Sequence, residues 1–131
     1  MSSFPITAMY AAFAGLLVLL LSIRVVLVRQ RSKIGIGDGS NHERTRCIRV
    51  HGNAIEYLPL LLILLGLCEA AGMSPGLLHG FGTAMMVGRL LHAYGLTLSA
   101  GVSFGRFAGT LTTFLLLLIM PLALLSRPWW G

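Results

Sequence analysis

The sequence predicts an all-α integral membrane protein, a single-domain bundle of four transmembrane helices. Of its 131 residues, 56% are hydrophobic and only 11% are charged, and the mean hydropathy is +0.83. A soluble domain usually has about a quarter of its residues charged, so lipid is the better match for most of this surface. The apolar residues also fall into four stretches of the length that crosses a bilayer, about 20 residues each.

The first predicted span covers residues 4–28 and has no charged residue before Arg24. No basic residues precede it, and it is longer than the hydrophobic region of a signal peptide, so we expect it to be retained as a helix. A polar connector at residues 29–45 follows. Its glycines do not predict a phosphate-binding loop, because no Gly-Lys-Ser or Gly-Lys-Thr follows them.

The remaining helix boundaries are marked by capping residues. Ser40 and Glu43 match a capping box, which predicts that the second helix begins near Asn41. Ser74 and Pro75 are typical of an N-cap and a first helical position, so they predict the start of the third helix. The other three predicted spans cover residues 46–72, 75–98 and 106–126.

Lysine and arginine residues are concentrated on one side of the predicted bundle. They are Arg29, Arg31, Lys33, Arg44, Arg46, Arg49 and Arg106. The opposite side has Arg127, and because basic connectors stay in the cytoplasm, we predict a cytoplasmic connector and both termini outside. The formal net charge of +6, placed beside apolar spans, favours membrane lipids or an anionic small molecule over nucleic acid as a partner.

Polar residues also enter the second span on one helical face. Arg49, Asn53 and Glu56 are spaced at i, i+4 and i+7, so they share that face. Such a face inside a membrane is either a packing network or a binding site. Because Arg89 of the third span is predicted at a similar depth, an ion pair between Glu56 and Arg89 is one expectation. A second expectation is that an anionic ligand binds beside the arginines, and this is compatible with the ion pair.

The cysteines and histidines do not predict a metal site or a disulfide. Cys47 and Cys68 lie on one predicted helix and, at 1.5 Å per residue, are roughly 30 Å apart, too far for a bridge within the chain. The four histidines do not have the spacing of zinc ligands. We therefore expect no structural metal.

Two segments resemble a known family. Residues 49–60, RVHGNAIEYLPL, resemble the helix-two signature of the MAPEG family, the membrane-associated proteins of eicosanoid and glutathione metabolism, in the pattern R-x-x-x-N-x-x-E-Y-x-P-L. Residues 88–95, GRLLHAYG, provide a second match in the expected order. With four spans and a long first connector, the resemblance extends over essentially the whole chain and is greatest to small bacterial members.

The resemblance implies a homotrimer of the bacterial inner membrane that binds glutathione at its subunit interfaces on the cytoplasmic side. It implies that Arg106 stabilises the glutathione thiolate, with no metal involved. The implied glutathione-binding residues are Arg49, Asn53, Glu56, Tyr57, Arg89, His92, Arg29 and Arg31. The chain departs from several eicosanoid enzymes, since His92 and Leu96 stand where those enzymes have tyrosines, which argues against their lipid substrates.

The implied activity is that of a membrane-bound glutathione-dependent transferase or peroxidase. In this reaction the thiolate attacks an apolar electrophile, a lipophilic second substrate that arrives from the bilayer. Two alternatives stay open: a non-catalytic binding or scaffold protein of the same fold, and a small multidrug-type transporter. Such transporters usually carry an acidic residue in the first span, and the first span here has none, which counts against transport.

Overall fold

The computed structural model describes residues 3–33, 42–98 and 104–127. Within these ranges the chain forms four α-helices and no β-strand. The helices are α1 (Pro5–Ser32), α2 (His42–Ala70), α3 (Pro75–Leu98) and α4 (Phe104–Leu125). The predicted all-α four-helix bundle is confirmed.

The helices next to the first connector extend further than the predicted spans. α1 continues to Ser32 and ends at Lys33, which has a left-handed backbone with φ of 54°. α2 is helical from His42, in agreement with the start predicted near Asn41, so both ends of the predicted connector at 29–45 are helical. The span prediction followed the apolar residues, whereas arginine and glutamine also favour helix and let α1 continue. Ser40 of the predicted capping box lies outside the described residues.

Three of the helices in the described ranges, α1, α2 and α4, are long and apolar enough to cross a membrane. α3, which the sequence also predicted as a span, has 24 residues but is not among them. Arg89, two histidines and several glycines lower its hydropathy. It packs most extensively on α4 and also contacts α1 and α2, so other helices cover part of its polar surface.

α2, like α3, contacts all three other helices of the bundle. Its buried residues recur every three or four positions, the spacing that places side chains on one face of a helix. They are Arg44, Cys47, Val50, Ala54, Leu58, Leu61, Leu65 and Cys68, and all of them except Arg44 are apolar. This apolar face fixes the rotation of α2 and directs its polar residues to a different side.

Glycines bring α3 and α4 close together. Both Gly88 and Gly109 are buried. A Cβ atom on Gly109 would lie 2.6 Å from the Cβ atom of His92, so only glycine fits at this position. The crossing places one face of α3 directly against the first turns of α4.

Polar contacts join the helices at the end of the bundle that contains the turn at residues 71–74, called here the turn end. The carboxylate of Glu69 accepts hydrogen bonds from the backbone N–H groups of Ile6 (2.9 Å) and Thr7 (2.8 Å), which caps the start of α1. The hydroxyl of Tyr10 lies 3.1 Å from Nδ1 of His79. Arg127 donates to the carbonyl oxygen of Ala71. The opposite end, where α2 and α4 begin, is called the connector end.

Candidate functional site

A polar cavity of about 400 Å³ lies between α2, α3 and α4 toward the connector end. A volume of this size is within the range of small-molecule sites, about 300–1,000 Å³. Its lining residues are Ile48, Arg49, Gly52, Asn53, Glu56, His92, Arg106 and Thr110. The structure thus brings together five of the residues proposed from the sequence, from three different helices.

The α2 wall of the cavity follows from helical spacing. Arg49, Asn53 and Glu56 lie on one face, while the buried core residues lie on another. Arg49 and Glu56 are both exposed, and within the described ranges neither has an ion-pair partner. Gly52 adds space on this wall, since a Cβ atom there would meet nothing within 4 Å.

The opposite wall comes from α3 and the first turns of α4. His92 is only 7% exposed, yet it lines the cavity, so its accessible part faces inward. Arg106 and Thr110 are one helical turn apart on α4 and line the same cavity. Thr110 and Ile48 were not predicted because they belong to no motif, and Gly52 was not predicted because it occupies an unspecified position of the 49–60 pattern. The spacing of Thr110 from Arg106 and of Gly52 from Arg49 is the signal that could have identified them.

Arg89 lies behind this cavity and connects its walls. Arg89 is 3% exposed, and its guanidinium donates to Oδ1 of Asn53. It also donates to the carbonyl oxygen of Gly109 at 3.0 Å and to Oγ1 of Thr113. Neutral oxygen atoms from α2 and α4 therefore solvate two of the three guanidinium nitrogens, while Nε is buried without a hydrogen-bond partner among the described residues.

The expected ion pair between Glu56 and Arg89 is wrong. Among the residues that the structure describes, the salt bridge is the one between Arg31 and Glu43, at 3.1 Å. Arg89 instead contacts Asn53, one turn away on α2, and the exposed Glu56 carboxylate remains on the cavity side. The predicted depths of Glu56 and Arg89 were compatible with an ion pair, but the rotation of α2 directs Asn53, rather than Glu56, toward Arg89 on α3.

Tyr57 also lies behind the cavity rather than on its lining. The Cζ atom of Arg89 is 5.5 Å from the centre of the Tyr57 ring, a cation–π contact. The ring packs edge-on against Phe114, with centroids 6.4 Å apart. In the single chain, Tyr57 and Arg89 therefore support the wall of the cavity from behind.

Arg29 and Arg31 are not part of this cavity within one chain. Arg31 is exposed, pairs with Glu43, and lines a separate cavity of about 220 Å³ with Val28 and Ser32. Arg29 also lies outside the lining of the larger cavity. These two arginines are on α1, and α1 provides no residue to the larger cavity.

The described ranges contain no group of three or more histidine, cysteine, aspartate or glutamate residues that could hold a metal ion. Cys47 and Cys68 are both free and buried. The polar side chains that line the cavity are those of arginine, glutamate, histidine, asparagine and threonine residues.

Comparison with known proteins gives a consistent assignment. The model of the MAPEG family matches residues 7–126. Inner membrane protein YecN from Escherichia coli strain K12 is 35% identical over 125 residues, which cover 95% of this chain and 94% of the relative. YecN from Escherichia coli O6:H1 has the same identity and coverage. No solved structure matches the chain.

Proposed function

The chain belongs to the MAPEG family of integral membrane proteins, and from that premise we propose that it is a glutathione-dependent enzyme of the bacterial inner membrane. Its proposed activity is that of a transferase or peroxidase for apolar electrophiles, with glutathione as co-substrate in the cavity between α2, α3 and α4. The observation that carries the proposal is the convergence of Arg49, Asn53, Glu56 and Arg106 on that one cavity.

The charges of the cavity are suited to glutathione. This tripeptide has two carboxylates and one ammonium group at neutral pH. Arg49 can pair with a carboxylate through two parallel hydrogen bonds, and Glu56 can accept from the ammonium group. Both side chains are exposed in the single chain, so a ligand can reach them without a change in the packed core.

Arg106 is the proposed thiolate-stabilising residue. A free thiol has a pKa of about 8.5, so it is mostly protonated at neutral pH. A guanidinium within hydrogen-bonding distance favours the thiolate and lowers that pKa, while the proton passes to water. The sulfur then forms a bond to the electrophilic carbon, and the leaving group departs with its electron pair. With a peroxide, the sulfur bonds to oxygen instead, the O–O bond breaks, and the alkoxide takes a proton.

The proposed active form is a homotrimer with the connector end in the cytoplasm. Arg49 and Glu56 are charged cavity-lining residues that stay exposed in the single chain, and a neighbouring subunit would cover them. Arg29 and Arg31 lie outside the cavity of their own chain, so in this proposal they reach the site of the adjacent subunit. The second substrate enters from the bilayer.

Titration of glutathione into the detergent-purified protein tests this proposal. We expect saturable binding, and turnover with an aryl halide or an organic hydroperoxide as the second substrate. An analogue with alanine in place of the cysteine of glutathione is the matched control, since it should bind without turnover. Absence of saturable binding to folded protein would overturn the proposal. Binding without turnover of any electrophile would replace it with a non-catalytic binding role.

A further inference from the structure

The hydrogen bond between Arg89 and Asn53 determines which edge of the Asn53 amide faces the cavity. Arg89 is held behind the wall and is only 3% exposed, and its Nη1 atom donates to Oδ1 of Asn53. Arginine has only donors, so the amide can meet it only through its oxygen atom. The other edge of the amide is the NH₂ group, and Asn53 itself lines the cavity.

Within the described parts of the chain, the NH₂ group of Asn53 has no competing partner. Among the residues that the structure describes, no acceptor is hydrogen-bonded to Nδ2 of Asn53, and the atom is not one of the buried polar atoms that lack a partner. It is therefore accessible and directed away from Arg89. A rotation of the amide by 180° would place two donors against each other and is excluded by chemistry.

We propose that Arg89 is a positioning residue that sets the hydrogen-bonding polarity of the cavity. By holding Oδ1 of Asn53, it makes Asn53 a donor toward the ligand, so the ligand atom at this point is an acceptor, a carboxylate or carbonyl oxygen. Arg89 does not touch the ligand. That the ligand is glutathione rests on the proposed function. The orientation of the Asn53 amide rests on its hydrogen bond with Arg89 and is independent of that function.

Arg89 also fixes the distance between the two walls. Its Nη2 atom donates to the carbonyl oxygen of Gly109, which follows Arg106 by one turn of α4. The same atom donates to Oγ1 of Thr113, which in turn donates to the Gly109 carbonyl at 2.9 Å. One guanidinium thus connects Asn53 of α2 with the turn of α4 that carries Arg106, and its loss should affect both walls.

Side-chain amide NMR tests the orientation directly. The sequence contains only two asparagines, Asn41 and Asn53, so labelling with ¹⁵N-asparagine gives two NH₂ signals, and Asn41→Ser assigns them. Without ligand, we expect the Asn53 NH₂ protons to exchange with water as an accessible group does. With saturating glutathione, we expect one of them to shift downfield and its exchange to slow at least tenfold. Protected protons in the ligand-free protein would overturn the proposal, as would an NH₂ signal that saturating glutathione leaves unchanged.

Two variants separate positioning from simple packing. Arg89→Lys keeps a donor for Oδ1, so we expect it to retain the glutathione-dependent NH₂ shift with a modest loss of affinity, about threefold to tenfold. Arg89→Met fills similar space without a donor, so we expect the shift to shrink and affinity to fall by more than tenfold. Equal affinity and equal shifts in the two variants would contradict the proposal.

The experiment also distinguishes the two failures. If glutathione does not bind to the wild-type protein, the proposed function is wrong, while the exchange rate in the ligand-free protein still tests the orientation. If Arg89→Met does not fold, Arg89→Lys and the wild-type spectra are sufficient. A lysine variant that folds and binds glutathione, but has lost the NH₂ shift, would overturn the positioning role.

Discussion

A Cβ atom placed on Gly109 of α4 would lie 2.5 Å from the backbone carbonyl oxygen of Gly88 on α3. This close approach lets the carbonyl oxygen of Gly109 accept a hydrogen bond from Arg89, and it holds His92 against α4. Backbone packed against backbone cannot be relieved by a change of rotamer. The geometry of the cavity wall therefore depends on the absence of a side chain at this position.

We expect Gly109→Ala to destabilise the protein by about 1–3 kcal/mol, the usual cost of overpacking a tight contact. Glutathione binding should weaken as well, because the walls move apart. Thermal unfolding in mild detergent measures the first effect and titration the second. Gly80→Ala is the control, since a Cβ atom at Gly80 of α3 meets nothing within 4 Å. Similar melting temperatures for the two variants would show that the α3–α4 contact is looser than described.

Glu69 should stabilise the bundle without affecting the cavity. Its carboxylate caps two N–H groups at the start of α1, at the turn end. We expect Glu69→Ala to lower the free energy of unfolding by about 0.5–2 kcal/mol, the range for loss of a helix cap. Glu69→Gln should lose less, because its carbonyl oxygen still accepts one hydrogen bond. Glutathione affinity should stay unchanged in both, and a change in affinity would indicate coupling between the two ends.

Arg49 should contribute to binding and little to folding. We expect Arg49→Ala to weaken glutathione binding by roughly 1.5–3 kcal/mol, as for loss of a charge-assisted hydrogen bond. Helicity should survive, because Arg49 is exposed. Lys33→Ala removes an exposed positive charge from the end of α1 and serves as the control for a general loss of charge. If Arg49→Ala unfolds the protein, or binds glutathione as Lys33→Ala does, the assignment fails.

Gly52 should control the size of the cavity. Because the space beside it is open, Gly52→Leu should fold normally and fill part of the volume that the ligand needs. We expect glutathione affinity to fall at least tenfold, about 1.4 kcal/mol, with little change in melting temperature. Gly15→Leu is matched, since Gly15 of α1 also has open space but lies outside the cavity. Unchanged affinity in Gly52→Leu would place the ligand elsewhere.

Helical periodicity accounts for the parts of the site that the sequence could predict. Arg49, Asn53 and Glu56 share one face at any rotation of α2, so their convergence needed no tertiary information. Whether Arg89 meets Asn53 or Glu56 depends on that rotation, which the packing of the apolar α2 face decides.

Other features depend on contacts between helices that are distant in sequence. Thr110 joins the cavity because α4 packs closely on α3, and no motif marks it. The sequence predicted α3 as a span, yet α3 is not among the described helices that are apolar enough to cross a membrane, because polar residues lower its hydropathy. One of them, Arg89, makes its contacts inside the bundle.

The last prediction separates chemistry from anchoring at Arg106. An arginine at the start of a span can simply place its charge among the headgroups, and lysine would replace it in that role, since both side chains extend to the interface. Lysine would not fully replace arginine in a thiolate site, because the N–H groups of the planar guanidinium point in fixed directions and so hold the sulfur in position.

We therefore expect Arg106→Lys to retain assembly and a glutathione affinity within a few-fold of wild type. Turnover should fall by about 10- to 100-fold, equivalent to roughly 1.4–2.7 kcal/mol in the barrier. The ultraviolet absorbance of the bound thiolate near neutral pH should fall in parallel, which links the loss to the sulfur rather than to the second substrate. Arg24→Lys, at a position outside the cavity, is the control for an arginine-to-lysine substitution near the headgroups.

Full turnover with a full thiolate signal in Arg106→Lys would show that Arg106 only anchors the helix. The activating group would then lie among His92, Arg29 and Arg31, and the same absorbance measurement on their variants would identify it.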